Sequence, residues 1–251
     1  MYSQVSSIED GRILLRGQDL VTEVMGRLDF TEAIYLAIVG QEPSESVSRV
    51  LDAVLVALLD HGVTSSTLVA RMTYRAAPEA FQGAIAAGVL NSGGRVLGSM
   101  EGCGRLLAQW SEQAAREGVR PTAVALLAAE RSAGRRIPGL GHGLHEAGDA
   151  RAARLFEIAG KAGHAGTHVE LLQAVEREVS TDRGELLPIN VTGAVAAVLL
   201  DLGLPWQILR GFGILSRVPG LIAHLAEEIQ DPTAGRLVSR LQEDGAWDDR
   251  G

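Results

Sequence analysis

Apolar residues recur every three to four positions through most of this chain, the period of a helix with one buried face. The pattern predicts a helix over 31–39, with Asp29 as N-cap and Gly40 as its stop. Val47, Val50, Leu51, Val54, Leu55 and Leu58 mark one face of the next, to residue 59. Further helices are expected over 65–75, from Pro78 to 90, over 97–116 and from Pro121 to 132. Beyond a Gly-rich interval they resume over 149–162, 167–179, 191–202, 205–229 and 232–241. No segment reads as a convincing strand, and aromatics at 4% argue against a β-rich fold. The expected class is all-α, with about a dozen helices and no linker dividing the chain.

Composition narrows the function classes. With 251 residues, 46% hydrophobic and 22% charged, the chain has enough apolar surface to offset its chain entropy, so a disordered protein is excluded. The net charge of −8 repels nucleic acid and anionic lipid, and neither is expected as a partner. An anionic ligand must then be held by a few local Arg or His residues. The single Cys103 excludes an internal disulfide and fits a reducing cytoplasm. The first ten residues carry no basic n-region and no apolar h-region, so they do not read as a signal peptide. Gly, Asp or Arg interrupts the apolar runs short of the roughly 20 residues a bilayer span requires, so no membrane segment is expected. No zinc-ligand spacing and no P-loop occur, and no metal is expected.

Three places carry candidate chemistry. Residues 134–148 are too Gly-rich for a helix interior. Their backbone amides can approach an anion closely, His142 lies within, and Arg151 follows on the next helix. Spacing alone leaves open a plain solvated loop. Asp60-His61-Gly62 ends one helix before the next begins; His61 either binds an anion there or meets the C-terminal dipole of its own helix. Arg217 is the one strong charge in the apolar run 215–224, and a buried Arg requires an anionic partner, either an internal carboxylate or a ligand.

In this order the pieces resemble the citrate synthase superfamily over nearly the whole chain. Residues 12–20 followed by Phe30-Thr31-Glu32-Ala33-Ile34-Tyr35-Leu36 look like its opening. Asp60-His61, Gly139-Leu140-Gly141-His142, Asp149-Ala150-Arg151, Leu187-Pro188-Ile189-Asn190-Val191 and Ser216-Arg217-Val218-Pro219-Gly220 look like its site motifs. The closest branch looks like the short stand-alone citryl-CoA lyases, akin to the citryl-CoA lyase module of ATP-citrate lyase. Leu97 stands where synthases carry a further histidine, which favours the lyase branch. The resemblance implies a homodimer, with large lobe 1–101 plus 206–251, small lobe 102–205 and a cleft between them. It makes His142 the central catalytic residue, His61, Arg151, Arg217 and Asn190 substrate-binding, and Arg136, Ile137, Gly139, Leu140 and Gly141 CoA-binding. It implies coenzyme A as part of the substrate, no tightly bound cofactor, and a small-molecule carboxylate and acyl-CoA as partners.

Two positions depart from that pattern. The family's catalytic aspartate falls on Thr192, whose hydroxyl is neutral at pH 7 and cannot be the base. Glu146 stands where related enzymes place a cation toward the coenzyme A phosphates. Glu101, one helical turn after Leu97, is a candidate replacement proton donor. Three readings follow: a lyase acting on citryl-CoA or a related 3-hydroxy-3-carboxyacyl thioester, a similar enzyme whose substrate is not a CoA ester, or a catalytically silent carboxylate-binding homologue.

Overall fold

The computed structural model describes residues 3–94, 97–141, 148–183 and 187–243. Contrary to expectation, the chain opens with a small antiparallel sheet: β1 (Ser6–Glu9), β2 (Arg12–Leu15) and β3 (Gln18–Asp19). Two-residue turns join them, Asp10-Gly11 at φ 50° and 78° and Arg16-Gly17 at φ 51° and 85°. Left-handed pairs of this kind match the twist of a hairpin, and Asp-Gly is a strong local signal for one. Arg16 then ties the sheet to the helical body by donating to the Ala37 carbonyl from Nε at 2.9 Å and Nη2 at 2.7 Å.

The rest is helical: α1 (Phe30–Val39), α2 (Glu45–Leu58), α3 (Ser65–Ala76), α4 (Phe81–Asn91), α5 (Gly98–Glu117), α6 (Val119–Ser132), α7 (Ala150–Lys161), α8 (Thr167–Arg183), α9 (Val191–Asp201), α10 (Leu209–Gln230) and α11 (Thr233–Glu243). The class is therefore all-α. Asp29 caps α1 in a reciprocal box with Glu32, and Gly40 at φ 88° ends it. Pro78 does not open α4, which begins three residues later. Pro121 lies within the first turn of α6, which begins at Val119, and α8 runs four residues past the expected end.

Helix α9 is the hub. It is apolar on every side, and Val191 and Gly193 through Leu200 are all buried, as expected of a helix enclosed by others. Helices α5, α7 and α8 surround it, α6 backs α5 and α8, and α2 lies against α7 and α10. A second, smaller apolar cluster joins α3 and α4 to the later half of α10 through Ala70, Ala84, Leu221 and Leu225. By length and hydropathy alone, Trp206–Gln230 reaches the span of a bilayer, contrary to the expectation from its interruptions. Its inward face, with Leu209, Phe212, Leu221 and Leu225, is part of the protein core. Cys103 is fully buried, and burial pushes its thiol up to about 12, so it behaves as a small apolar residue.

Candidate active site

The end of the Gly-rich segment is zipped to the residues that precede α9. Gly141 N donates to Pro188 O at 2.7 Å, Asn190 N donates to Gly139 O at 3.0 Å, and Leu140 bridges Ile189. The approach requires two glycines. A Cβ on Gly139 would lie 2.8 Å from Gly193 Cα and 2.9 Å from Cys103 Sγ, at a φ of 88° that already disfavours a side chain. Asn190 closes the zipper. Its Nδ2 donates to Gly141 O at 2.7 Å, while its Oδ1 accepts from Gly193 N at 3.1 Å as the N-cap of α9. The position next to His142 is thus held by an unbroken set of bonds. His142 itself lies outside the described residues, as do His145 and Glu146.

Thr192 sits on the same junction. Its Oγ1 is 2.6 Å from Asn190 Oδ1 and 3.2 Å from Ser99 Oγ, and Ser99 Oγ accepts from Gly139 N at 3.0 Å. An amide oxygen only accepts, so the Thr192 proton goes to Asn190. The Thr192 hydroxyl also points at Ser99 Oγ, as the longer of its two contacts. The Thr192 hydroxyl thus faces Asn190 Oδ1 and Ser99 Oγ together, pinning α5 to α9. Ser99 escaped notice in the sequence because a serine at a helix start has an ordinary capping explanation.

The two arginines stand on different helices, α7 and α10. Arg151, in the first turn of α7, forms a fork on Asp149, Nε to Oδ1 at 3.0 Å and Nη2 to Oδ2 at 2.9 Å. Asp149 also caps α7 and accepts from Val191 N at 3.0 Å. Burial raises the Asp149 carboxyl pKa, but Arg151 and the two amides outweigh it and hold it below its ordinary value. Arg217, on α10, has a side chain only 11% exposed. Burial lowers its guanidinium pKa, Asp60 raises it, and the Arg151 charge lowers it again, so the two cations lie within electrostatic reach. Asp60 Oδ2 stands 3.9 Å from Arg217 Nη1, and among the described residues that buried nitrogen has no hydrogen-bond partner. Helices α2 and α10 meet beside it, with Ser216 Oγ donating to Leu55 O at 2.6 Å. His61 follows Asp60 directly, just past the end of α2.

Glu101 does share the face of Leu97, but that face looks at α10. Leu97 packs on Gly213, and Glu101 Oε2 pairs with Arg210 Nη2 at 2.7 Å. Two residues along a helix is about 200°, so Glu101 points away from the side of α5 where Ser99 meets Thr192. Arg136 lines an open cavity of about 440 Å³ with Arg105, Arg135 and Pro138; Arg135 is forked onto Glu130. Ile137 packs against the main core.

Comparison with known proteins identifies the family. The family description "Citrate synthase, C-terminal domain" matches residues 3–238. The citryl-CoA lyase of Hydrogenobacter thermophilus superposes with a TM-score of 0.84 at 31% identity, covering 92% of this chain and 88% of that one. The ATP citrate lyase of Methanothrix soehngenii, solved with citrate and coenzyme A, gives 0.77 at 22% identity over 92% of this chain and 39% of its own, and shows the fold alone. A citrate synthase from Haloferax volcanii is 28% identical over 195 residues, 76% of this chain and 49% of that protein. The chain spans about half the length of the curated relatives it matches. These matches place the chain in the citrate synthase family.

Proposed function

We propose that this protein is a carbon–carbon lyase that cleaves citryl-CoA, or a related 3-hydroxy-3-carboxyacyl-CoA, to a keto acid such as oxaloacetate and acetyl-CoA. The observation that carries the reading is Arg217 Nη1, buried, without a hydrogen-bond partner among the described residues, and within the field of Arg151. A substrate carboxylate supplies what that nitrogen lacks. The likeness to the citryl-CoA lyase over most of both chains supports the choice among family reactions.

In this reading Arg151 and Arg217 fix carboxylates, with His61 and Asn190 beside them. His142, held next to Gly141, takes the proton of the tertiary hydroxyl. The C–C bond breaks as that oxygen becomes the ketone, and its electron pair leaves as the thioester enolate. Water protonates the enolate to acetyl-CoA and regains a proton from His142, because the Thr192 proton is committed to Asn190 and Glu101 is paired with Arg210. The pantetheine arm runs along residues 136–141, and Arg105 and Arg136 offer charge to its phosphates. The protein acts as a cytoplasmic homodimer whose lobes close over substrate.

The committed Thr192 proton also favours a second reading, a carboxylate sensor that binds without turnover. Release of oxaloacetate from citryl-CoA, followed through NADH consumption by added malate dehydrogenase, separates the two. Turnover dependent on Arg217 supports the lyase. Citrate binding with no turnover supports the sensor, and neither binding nor turnover overturns both.

A further inference from the structure

A partly buried network beside Arg217 is absorbed by none of these roles. Arg71 of α3, with its side chain 6% exposed, donates from Nη1 to Glu228 Oε2 at 3.0 Å and to Thr233 Oγ1 at 3.0 Å. Its Nη2 pairs with Glu227 and reaches His224 Nδ1 at 2.8 Å. On the far side of the ring, His224 Nε2 lies 3.0 Å from Asp60 Oδ2. A guanidinium has no acceptor, so His224 Nδ1 must accept. The proton of the neutral ring is therefore on Nε2, and it is donated to Asp60. The tautomer is fixed by Arg71.

Asp60 is held from three sides. Its Oδ1 accepts from Gly62 N at 2.7 Å, its Oδ2 accepts from His224, and Gly220 of α10 lets it approach. A Cβ on Gly220 would drive into the Leu59 carbonyl and come within 3.2 Å of Asp60 Oδ2. The carboxylate nevertheless stops 3.9 Å from Arg217 Nη1, whereas a direct charged hydrogen bond closes to about 2.8 Å.

We propose that His224 is a positioning residue that holds Asp60 short of Arg217. The standoff keeps a counter-charge beside the buried guanidinium but leaves its Nη1 donor for a substrate carboxylate. The inference rests on the carboxylate-binding reading above. Without the His224 bond, Asp60 swings onto Arg217 and competes with the ligand. Arg71 keeps Glu227, Glu228 and Thr233, so the fold does not depend on the ring.

The test uses His224→Leu, His224→Gln, Asp60→Asn and the double variant His224→Leu/Asp60→Asn in the full chain. In the ligand-free crystal structure of His224→Leu, the Asp60–Arg217 separation should fall to about 3 Å; an unchanged gap overturns the proposal whether or not any ligand binds. By titration calorimetry with citrate and with oxaloacetate, His224→Leu should raise Kd about tenfold, the loss of one charge-assisted hydrogen bond. His224→Gln offers one acceptor and one donor along the same line and should stay within about threefold of wild type. On the Asp60→Asn background, the Leu substitution should have almost no further effect, because His224 acts only through that carboxylate. Should His224→Leu fail to fold, the crystal structure and affinities of His224→Gln decide: an Asp60 that closes on Arg217 with no loss of affinity overturns the proposal. Equal affinities across all variants also overturn it. A wild type that binds neither acid overturns the carboxylate-binding reading instead, while the crystal comparison still decides the Asp60 contact.

Discussion

The Thr192 hydroxyl donates to the side-chain oxygen of Asn190 at 2.6 Å, and Asn190 passes its own amide proton to Gly141 O at 2.7 Å. The relationship makes Thr192 a fastener between α9 and the glycine segment. Where the resemblance implies a proton-moving aspartate, the chain has a hydroxyl whose proton is already placed.

Thr192→Val should therefore cost stability more than chemistry. Loss of one partly buried hydrogen bond amounts to about 1 kcal/mol. Citryl-CoA turnover should fall less than about tenfold, whereas removal of a true general acid costs about 10²–10⁴. Side-by-side urea unfolding and oxaloacetate-release assays check both halves. A thousandfold loss in a folded variant would make Thr192 part of the proton path. Thr192→Asp sets a carboxylate against Asn190 Oδ1, so it restores the family's residue only if the amide turns over and abandons Gly141.

Much of this was legible in the sequence, for identifiable reasons. The 3.6-residue period gave the long helices because each buries one stripe, and Asp29 and Gly40 read as caps because their chemistry is local. The opening sheet was missed although Asp10-Gly11 announces a hairpin: its strands are short and largely exposed, so they lack a buried alternating face. Asp149 was legible only as a neighbour of Arg151. Its contact with Val191 N spans 42 residues, and no local pattern reports such a pairing. The partners of Arg217 and Glu101 were invisible for the same reason. Arg217 reads as a charge in an apolar run and Glu101 as a candidate proton donor, but only the packing of α10 shows that one meets Asp60 at a distance and the other meets Arg210 closely.

Gly139→Ala and Gly193→Ala should be among the most damaging single-methyl additions in the protein. At Gly139 overpacking adds about 1–3 kcal/mol and the left-handed backbone about 1–2 more. Gly134→Ala is the control: it shares a positive φ, 65°, but meets open space. It should cost only the backbone share. At this chain length each 1 kcal/mol moves Tm by about 2–4 °C, so thermal melts resolve the difference. Equal shifts at Gly139 and Gly134 would mean that the Gly139–Gly193 contact is slack.

The Asp149 carboxyl sits below its ordinary pKa, which sets a sign for acid denaturation. A depressed carboxylate stabilises the fold above its unfolded pKa of about 3.9, and that contribution is lost as pH falls through the lower folded value. Asp149→Asn should weaken the protein at pH 7 by about 1–3 kcal/mol and flatten the fall in stability below about pH 4. Urea midpoints between pH 7 and pH 2.5 test this. A variant whose acid limb parallels the wild type would move the titration to other carboxylates.

Arg217→Gln should separate stability from binding in opposite directions. The ligand-free protein holds this cation where burial and Arg151 both disfavour its charge, with Asp60 at 3.9 Å as only partial compensation. Replacing it with a neutral amide should leave the ligand-free Tm unchanged or raise it, since removing a poorly paired buried charge relieves a desolvation cost. With ligand present the order reverses. A carboxylate at about 100 times its Kd stabilises the wild type by about 2.7 kcal/mol, and most of that gain should vanish in the variant. Melts with and without citrate read both effects. A large loss of ligand-free stability would mean that Asp60 and Arg217 already act as a structural pair, and the site would have no donor in reserve for a substrate.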